Sequence, residues 1–226
     1  MILEPNFEQG ELLLIDKPYR WTSFNVVKKL RYALNVKKIG HAGTLDPLAT
    51  GLLILCTGKK TKEIDGYQAQ EKEYTGELVL GKTTPSFDLE TEFDANYDIS
   101  HINQALIEAT LPQFIGDIAQ IPPMFSAVKV DGQRLYELAR KGKSKEVEAR
   151  NIQISTFEIT RYEMPRLYFR VVCSKGTYIR SLVRDFGEAL GAGAYLSALC
   201  RTRIGDFRLE DAYSLDDFLQ KYSRRK

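Results

Sequence analysis

Cysteine is scarce in this chain. Only Cys56, Cys173 and Cys200 occur among 226 residues. Their number is odd, they lie far apart, and no CxxC pair is present. A disulfide framework or a zinc knuckle is therefore not expected, and a reducing cytoplasm is the simplest location. Long apolar runs are missing too. Leu12 to Ile15 and Leu52 to Cys56 are the longest, far short of the roughly 20 residues that span a bilayer. Met1 to Gly10 carries two glutamates and no basic stretch, which is not the pattern of a signal peptide. No P-loop and no DxD pair occurs, so phosphotransfer has no visible machinery. Repeats and low-complexity segments are also absent.

One further absence is local. Lys17 to His41 contains seven Lys or Arg and no Asp or Glu, leaving 25 basic and 30 acidic residues elsewhere. Such a segment is the footprint expected of a surface for a phosphate backbone. On charge alone, a solvated helix face is the simpler explanation. The rest of the composition is ordinary: 43% hydrophobic and 27% charged, with a net charge of +2. The length suits one large domain or two small ones, and is enough to bury a real core.

Patterning predicts strands at Glu11–Ile15, Leu52–Thr57, Tyr74–Gly81, Ile152–Tyr162 and Leu167–Ser174. Thr22 or Ser23 should cap a helix with Val26, Val27, Leu30, Ala33 and Leu34 at helical spacing. Ser100 should cap a second helix, with Ile102, Ala105, Leu106 and Ala109 on one face. A third should run from Thr177 to about Leu190, with Arg180 and Arg184 on a shared face and Gly191 or Gly193 at its stop. Ser214 is a candidate cap for a last helix before Arg224, Arg225 and Lys226. Asp131-Gly132 is a hairpin turn signal, and Gln133 to Lys141 reads as a short helix. Ile39 to Gly51 and Thr83 to Asp98 read as loops, the latter exposed. Strands and helices mix without a regular βαβ rhythm, which predicts an α+β fold.

The segment Gly40-His-Ala-Gly-Thr-Leu-Asp-Pro-Leu-Ala-Thr-Gly51 holds three glycines in twelve residues. Glycines permit unusual dihedrals, and Pro47 pushes Asp46 toward an extended backbone. Such a loop can present one carboxylate in a fixed place. By residue type alone, however, a lone Asp there is more often a turn or cap residue than a nucleophile.

His41 to Gly51 resembles the catalytic loop of TruB-type pseudouridine synthases. Four other segments resemble that family in family order: Leu13-Leu-Ile-Asp-Lys-Pro18, Glu73-Tyr74 with its following strand, Gln120 to Gly132, and Cys173-Ser-Lys-Gly-Thr-Tyr-Ile-Arg-Ser-Leu182. The resemblance implies the pseudouridine synthase fold, a central mixed and mostly antiparallel sheet flanked by helices. It implies a single catalytic domain over residues 1–226. The chain ends soon after Phe218, so the further β-rich, PUA-like RNA-binding domain of many members is not expected.

The implied activity is isomerisation of uridine 55 in the tRNA T-loop to pseudouridine, without metal or cofactor. Asp46 would be the nucleophile toward a flipped-out base, and Arg180 the arginine that pairs with it. Tyr74 would stack on the base and relay the proton lost from C5. Tyr178 and Ile179 would line the base pocket, and His41 would fit where the base has left the stack. Asp88 aligns with a family acid near the base, and Lys17 is a candidate phosphate contact. The basic stretch up to Lys38 and the cluster Arg140, Lys141, Lys143 and Lys145 are candidates for backbone contacts. The implied partner is the tRNA T-arm, for a monomer without membrane attachment. Two rival classes fit the sequence less well. A non-catalytic RNA-binding protein would not need Asp46 and Arg180 together. A glycosidase would need a second acid beside Asp46, for which Asp88 is the only candidate.

Overall fold

Leu52–Cys56 shows no polar alternation, and the computed structural model, which describes residues 5–143 and 145–223, gives the reason. The run lies in the strand Ala49–Thr57, which is buried on both faces. Leu53 and Leu55 face a cluster containing Leu13, Ile15, Val27, Leu30 and Phe218, while Leu52, Ile54 and Cys56 face another with Ala42 and Ile204. A strand covered on both sides needs apolar residues at every position.

The described chain forms two compact units: one runs to Tyr74 and resumes at Leu199, and the other is Thr75–Ala198. In the first unit, Leu12–Lys17 runs antiparallel to Ala49–Thr57, with Lys17 opposite Gly51. Leu199–Arg201 runs parallel to Ala49–Gly51, and Ile39–His41 pairs antiparallel with the far end of the same strand. Tyr213–Ser214 adds parallel to Leu12–Lys17. The helix Ser23–Leu34 buries Val26, Val27, Leu30 and Leu34, each side chain of this class contributing roughly 1.5–3 kcal/mol when fully buried. Thr22 caps it by accepting from the Asn25 amide, and Asn35 ends it in the left-handed region at φ 54°. Ser214 caps the helix Leu215–Tyr222 through the Asp217 amide, as predicted. Arg224, Arg225 and Lys226 lie outside the described residues.

In the second unit, Arg150–Glu163 and Arg166–Cys173 pair antiparallel, and Gly116–Gln120 pairs with the start of the former. Lys72–Leu80 lies between Arg166–Cys173 and Ala194–Ile204 in strand order. The helix Ile179–Ala189 buries Leu182, Val183 and Phe186. Phe186 meets Phe114 and Phe157 edge to face, with ring centroids 5.6 and 5.3 Å apart. Gly187 makes close packing possible, since a Cβ there would sit 2.5 Å from the Ala194 nitrogen. The architecture is α+β with mixed, mostly antiparallel strands flanked by helices, the predicted class. Among the described residues, no helix is long and apolar enough to cross a membrane.

Several elements depart from expectation. The ends of Ile39–Gly51 are strands, because their main-chain groups find partners distant in sequence. The second helix is Gln104–Thr110, capped by Asn103 rather than Ser100, whose hydroxyl is taken by Asp98. The later start turns Ile107 and Thr110 inward in place of Ala105 and Leu106. Thr84, Ser86 and Asp88 are buried, so Thr83–Asp98 is only partly an exposed loop. The strand Ala194–Ile204 and the helix Ile64–Ala69 had no counterpart in the sequence reading.

Candidate active site

In the first unit, the loop between Ile39–His41 and Ala49–Thr57 carries Asp46, which is half-buried. The segment is tied down at nearly every residue. Ala42 N donates to Ile54 O at 2.9 Å, and Ala49 N donates to Asp46 O at 3.1 Å. Ser23, at the start of the helix Ser23–Leu34, accepts from Leu45 N at 2.9 Å and donates to Leu45 O at 3.2 Å. Arg20 N donates to Pro47 O at 2.8 Å, and Gly51 N donates to Asp16 Oδ1 at 3.0 Å. Gly51 has φ +101°, and a Cβ there would lie 2.4 Å from the Arg201 carbonyl oxygen. Only glycine fits that position.

Two buried cations stand beneath the loop. Arg201 donates from Nε to Leu52 O at 2.8 Å, from Nη2 to Gly43 O at 3.2 Å and from Nη1 to Thr44 O at 3.5 Å. Lys17 is fully enclosed, and its Nζ donates to the carbonyls of Pro18, Trp21 and Pro47. Expected at an RNA surface, Lys17 instead has its donors committed to main chain and does not reach out to a phosphate. Burial lowers its pKa from 10.5 to about 8, against the opposing pull of Asp46 and Asp16, with the Arg201 charge adding to the fall. Burial also lowers the pKa of His41, opposed by a hydrogen bond with the Gly43 backbone and assisted by Arg201. Tyr74 is buried in Lys72–Leu80, beside Lys72, whose ammonium donates to Gln68 O and Gln70 O.

In the second unit, Arg180 sits in the first turn of Ile179–Ala189 and is buried. Its Nε lies 3.7 Å from Asp88 Oδ2, and both side chains are nearly solvent-free. Nη1 donates to Ser86 O at 3.2 Å and Nη2 to Phe125 O at 2.9 Å. Asp88 is held by its own neighbours: its carbonyl accepts from Thr84 Oγ1 and Ser86 Oγ, and its Oδ1 accepts from Glu90 N. Tyr178 stands at the N-cap of the helix, and its side chain makes no capping hydrogen bond. Instead, the Gln120 side chain pairs with its main chain, accepting from Tyr178 N at 2.8 Å and donating to Tyr178 O at 3.1 Å. Ile179 is buried.

Thus the structure joins Arg180 to Asp88, and puts Lys17 within electrostatic reach of Asp46. Sequence reading missed Ser23 as a loop anchor, along with Gln120 and Arg201. Ser23 reads locally only as a cap, while Arg201 stands in Arg201-Thr-Arg203, which looks like any surface basic run. Among the described residues, no group of three or more His, Cys, Asp or Glu is placed to hold a metal ion.

Comparison with known proteins follows the same residues. Residues 31–179 match the model of the TruB family pseudouridylate synthase N-terminal domain. Residues 180–226 match the tRNA pseudouridylate synthase B C-terminal domain. The chain is 58% identical to the tRNA pseudouridine synthase B of Phocaeicola vulgatus, over 94% of this chain and 93% of that one. It is 56% identical to the protein of the same name from Flavobacterium johnsoniae, over 93% and 95%. Among solved structures, a chain of a Cbf5-Nop10-Gar1 complex superposes with a TM-score of 0.74 at 31% identity, covering 96% of this chain and 55% of that one. A chain of an H/ACA RNP bound to a substrate RNA containing 2'-deoxyuridine gives 0.72 at 28%, covering 96% and 54%. This chain spans about half the length of those two solved chains. The matched family model covers most of the chain and includes the whole Asp46 loop, and the chain belongs to the TruB family of pseudouridine synthases.

Proposed function

We propose that this enzyme isomerises uridine 55 in the T-loop of tRNA to pseudouridine, with Asp46 as the nucleophile. The observation that carries the reading is the Asp46 loop itself: one carboxylate on a segment whose main chain is fastened on both sides of it. High identity to proteins named tRNA pseudouridine synthase B supports the same substrate.

In this reading the base is flipped out of the stack, at a cost of a few kcal/mol. The Asp46 carboxylate attacks the nucleoside as the N1–C1′ bond breaks. The base turns, C5 bonds to C1′ as the bond to Asp46 breaks and frees the carboxylate, C5 loses its proton and N1 gains one. Atoms are conserved and no net oxidation occurs, so the balance calls for neither metal nor cofactor. Tyr74 stacks on the base and relays the C5 proton. Tyr178 and Ile179 give it contact surface, Arg180 supplies positive charge toward a carboxylate, and Asp88 orients Arg180. His41 fits against RNA where the base has left. The partner is the T-arm stem-loop, met by a cytoplasmic monomer acting as a single catalytic domain.

The test is incubation with an unmodified tRNA transcript, followed by mapping of pseudouridine. Modification at the T-loop uridine is expected. Its absence, or modification at another site alone, would overturn the reading.

A further inference from the structure

Arg201 enters no step above, and is among the most deeply buried side chains of the first unit, at 1% exposure. Burying a permanent cation is costly unless every donor is well placed. Here the donors converge on one short segment. The acceptor carbonyls of Gly43 and Thr44 precede Asp46, and that of Leu52 follows it. One guanidinium therefore ties the two legs of the Asp46 loop together. Its donors lie in a rigid planar fork. With Nε fixed on the Leu52 leg, the direction of the Nη groups toward the other leg is set. The main chain of the same residue is in register with Gly51, where no Cβ fits. Backbone and side chain of Arg201 thus fix the spacing of the loop legs from two directions.

We propose that Arg201 is a positioning residue that holds Asp46 in the geometry for attack. The proposal rests on the reading of Asp46 as the nucleophile. Lysine cannot substitute, because its donors radiate from a single point and cannot bridge both legs in one plane.

The experiment compares Arg201→Lys, Arg201→Met and Asp46→Asn with the wild type on an unmodified tRNA transcript, with kcat and KM measured separately. Folding of each variant is checked by circular dichroism. For Arg201→Lys, kcat is expected to fall about a hundredfold, as for a misplacement near 1 Å, with KM within about threefold. A merely structural role would lower the fraction folded and leave kcat per folded molecule unchanged. Folded Arg201→Lys with kcat within about threefold of wild type, alongside inactive Asp46→Asn, would overturn the Arg201 proposal alone. Turnover by Asp46→Asn near the wild-type rate would remove the reading beneath it and the proposal together. Should neither Arg201 variant fold, amide hydrogen exchange on the wild type decides. Slow exchange at Ala42, Leu45 and Ala49, comparable to Leu53 and Leu55, is expected. Exchange there at the rate of an unstructured peptide would overturn the proposal.

Discussion

The two units hold their buried cations by different means. In the first, Lys17 and Arg201 give their donors to main-chain carbonyls: Pro18, Trp21 and Pro47 for one, Gly43, Thr44 and Leu52 for the other. In the second, Arg180 meets the Asp88 carboxylate as well as two carbonyls. A carbonyl satisfies a donor without cancelling its charge, whereas the Asp88 carboxylate, 3.7 Å from Arg180 Nε, supplies a countercharge. The first unit therefore ties the Asp46 loop to its cations through main-chain carbonyls, with the Asp46 and Asp16 carboxylates within electrostatic reach of Lys17. In the second unit, an ion pair clasps the 84–90 segment against the helix that carries Arg180. Lys17 shows the consequence, its pKa falling to about 8, while arginine has no such escape.

The sharpest break is at Asp46. Asp46→Asn keeps the shape of the side chain and removes its charge. Turnover should fall by about four orders of magnitude or more, as for loss of other nucleophiles, while tRNA binding in a filter assay stays close to wild type. A near wild-type rate would show that the first unit's loop is not built around a reacting group.

The next test separates ion pair from carbonyl cage. Removing one partner of a buried pair costs about 3–5 kcal/mol. Arg180→Met and Asp88→Leu should each lower the melting temperature by several degrees, at about 2–4 °C per kcal/mol for a chain of this size. The double variant should lose less than the sum of the two single ones, since it leaves neither member of this pair facing an empty partner. Strictly additive losses would mean that the two side chains are not coupled.

A smaller effect is expected from Lys17, and its sign is set by the pKa. The folded value lies near 8 and the ordinary value is 10.5. Between them the unfolded chain holds the proton and the folded chain does not, so stability rises with pH across that window. Wild type should gain stability relative to Lys17→Met as pH rises from 8 to 10. A constant difference in melting temperature over that range would mean that the carbonyl cage keeps Lys17 charged.

Ser23→Ala should produce the smallest change, about 1–2 kcal/mol. It removes a neutral anchor, the paired bonds to Leu45, from the loop the cations hold. A loss as large as that of the Arg180–Asp88 pair would show that the hydroxyl, and not the cations, fixes the loop.

Much of this arrangement was legible where the signal is local. The caps at Thr22 and Ser214, the Asp131-Gly132 turn at φ 50° and 78°, and the stripe of Ile179–Ala189 depend on neighbours within about four residues. The motif in the Asp46 loop was equally visible. Ser100 and Asn103 show the limit of local reading: both are good caps, three residues apart. The choice fell to Asn103, which turns Ile107 into the core.

By itself, the sequence determined the class of the fold, the family and the loop that bears Asp46, because periodicity, caps and contiguous motifs lie within single segments. Tertiary structure decided which charges are buried and what receives them. Ala194–Ile204 has no clean alternation, and it becomes a strand only through partners far away in the chain. Arg201 in that strand, Lys17 near the start and Asp88 in an acidic stretch all look like surface residues. Each is enclosed because carbonyls or a countercharge, brought from distant positions, satisfy it where water would otherwise be required.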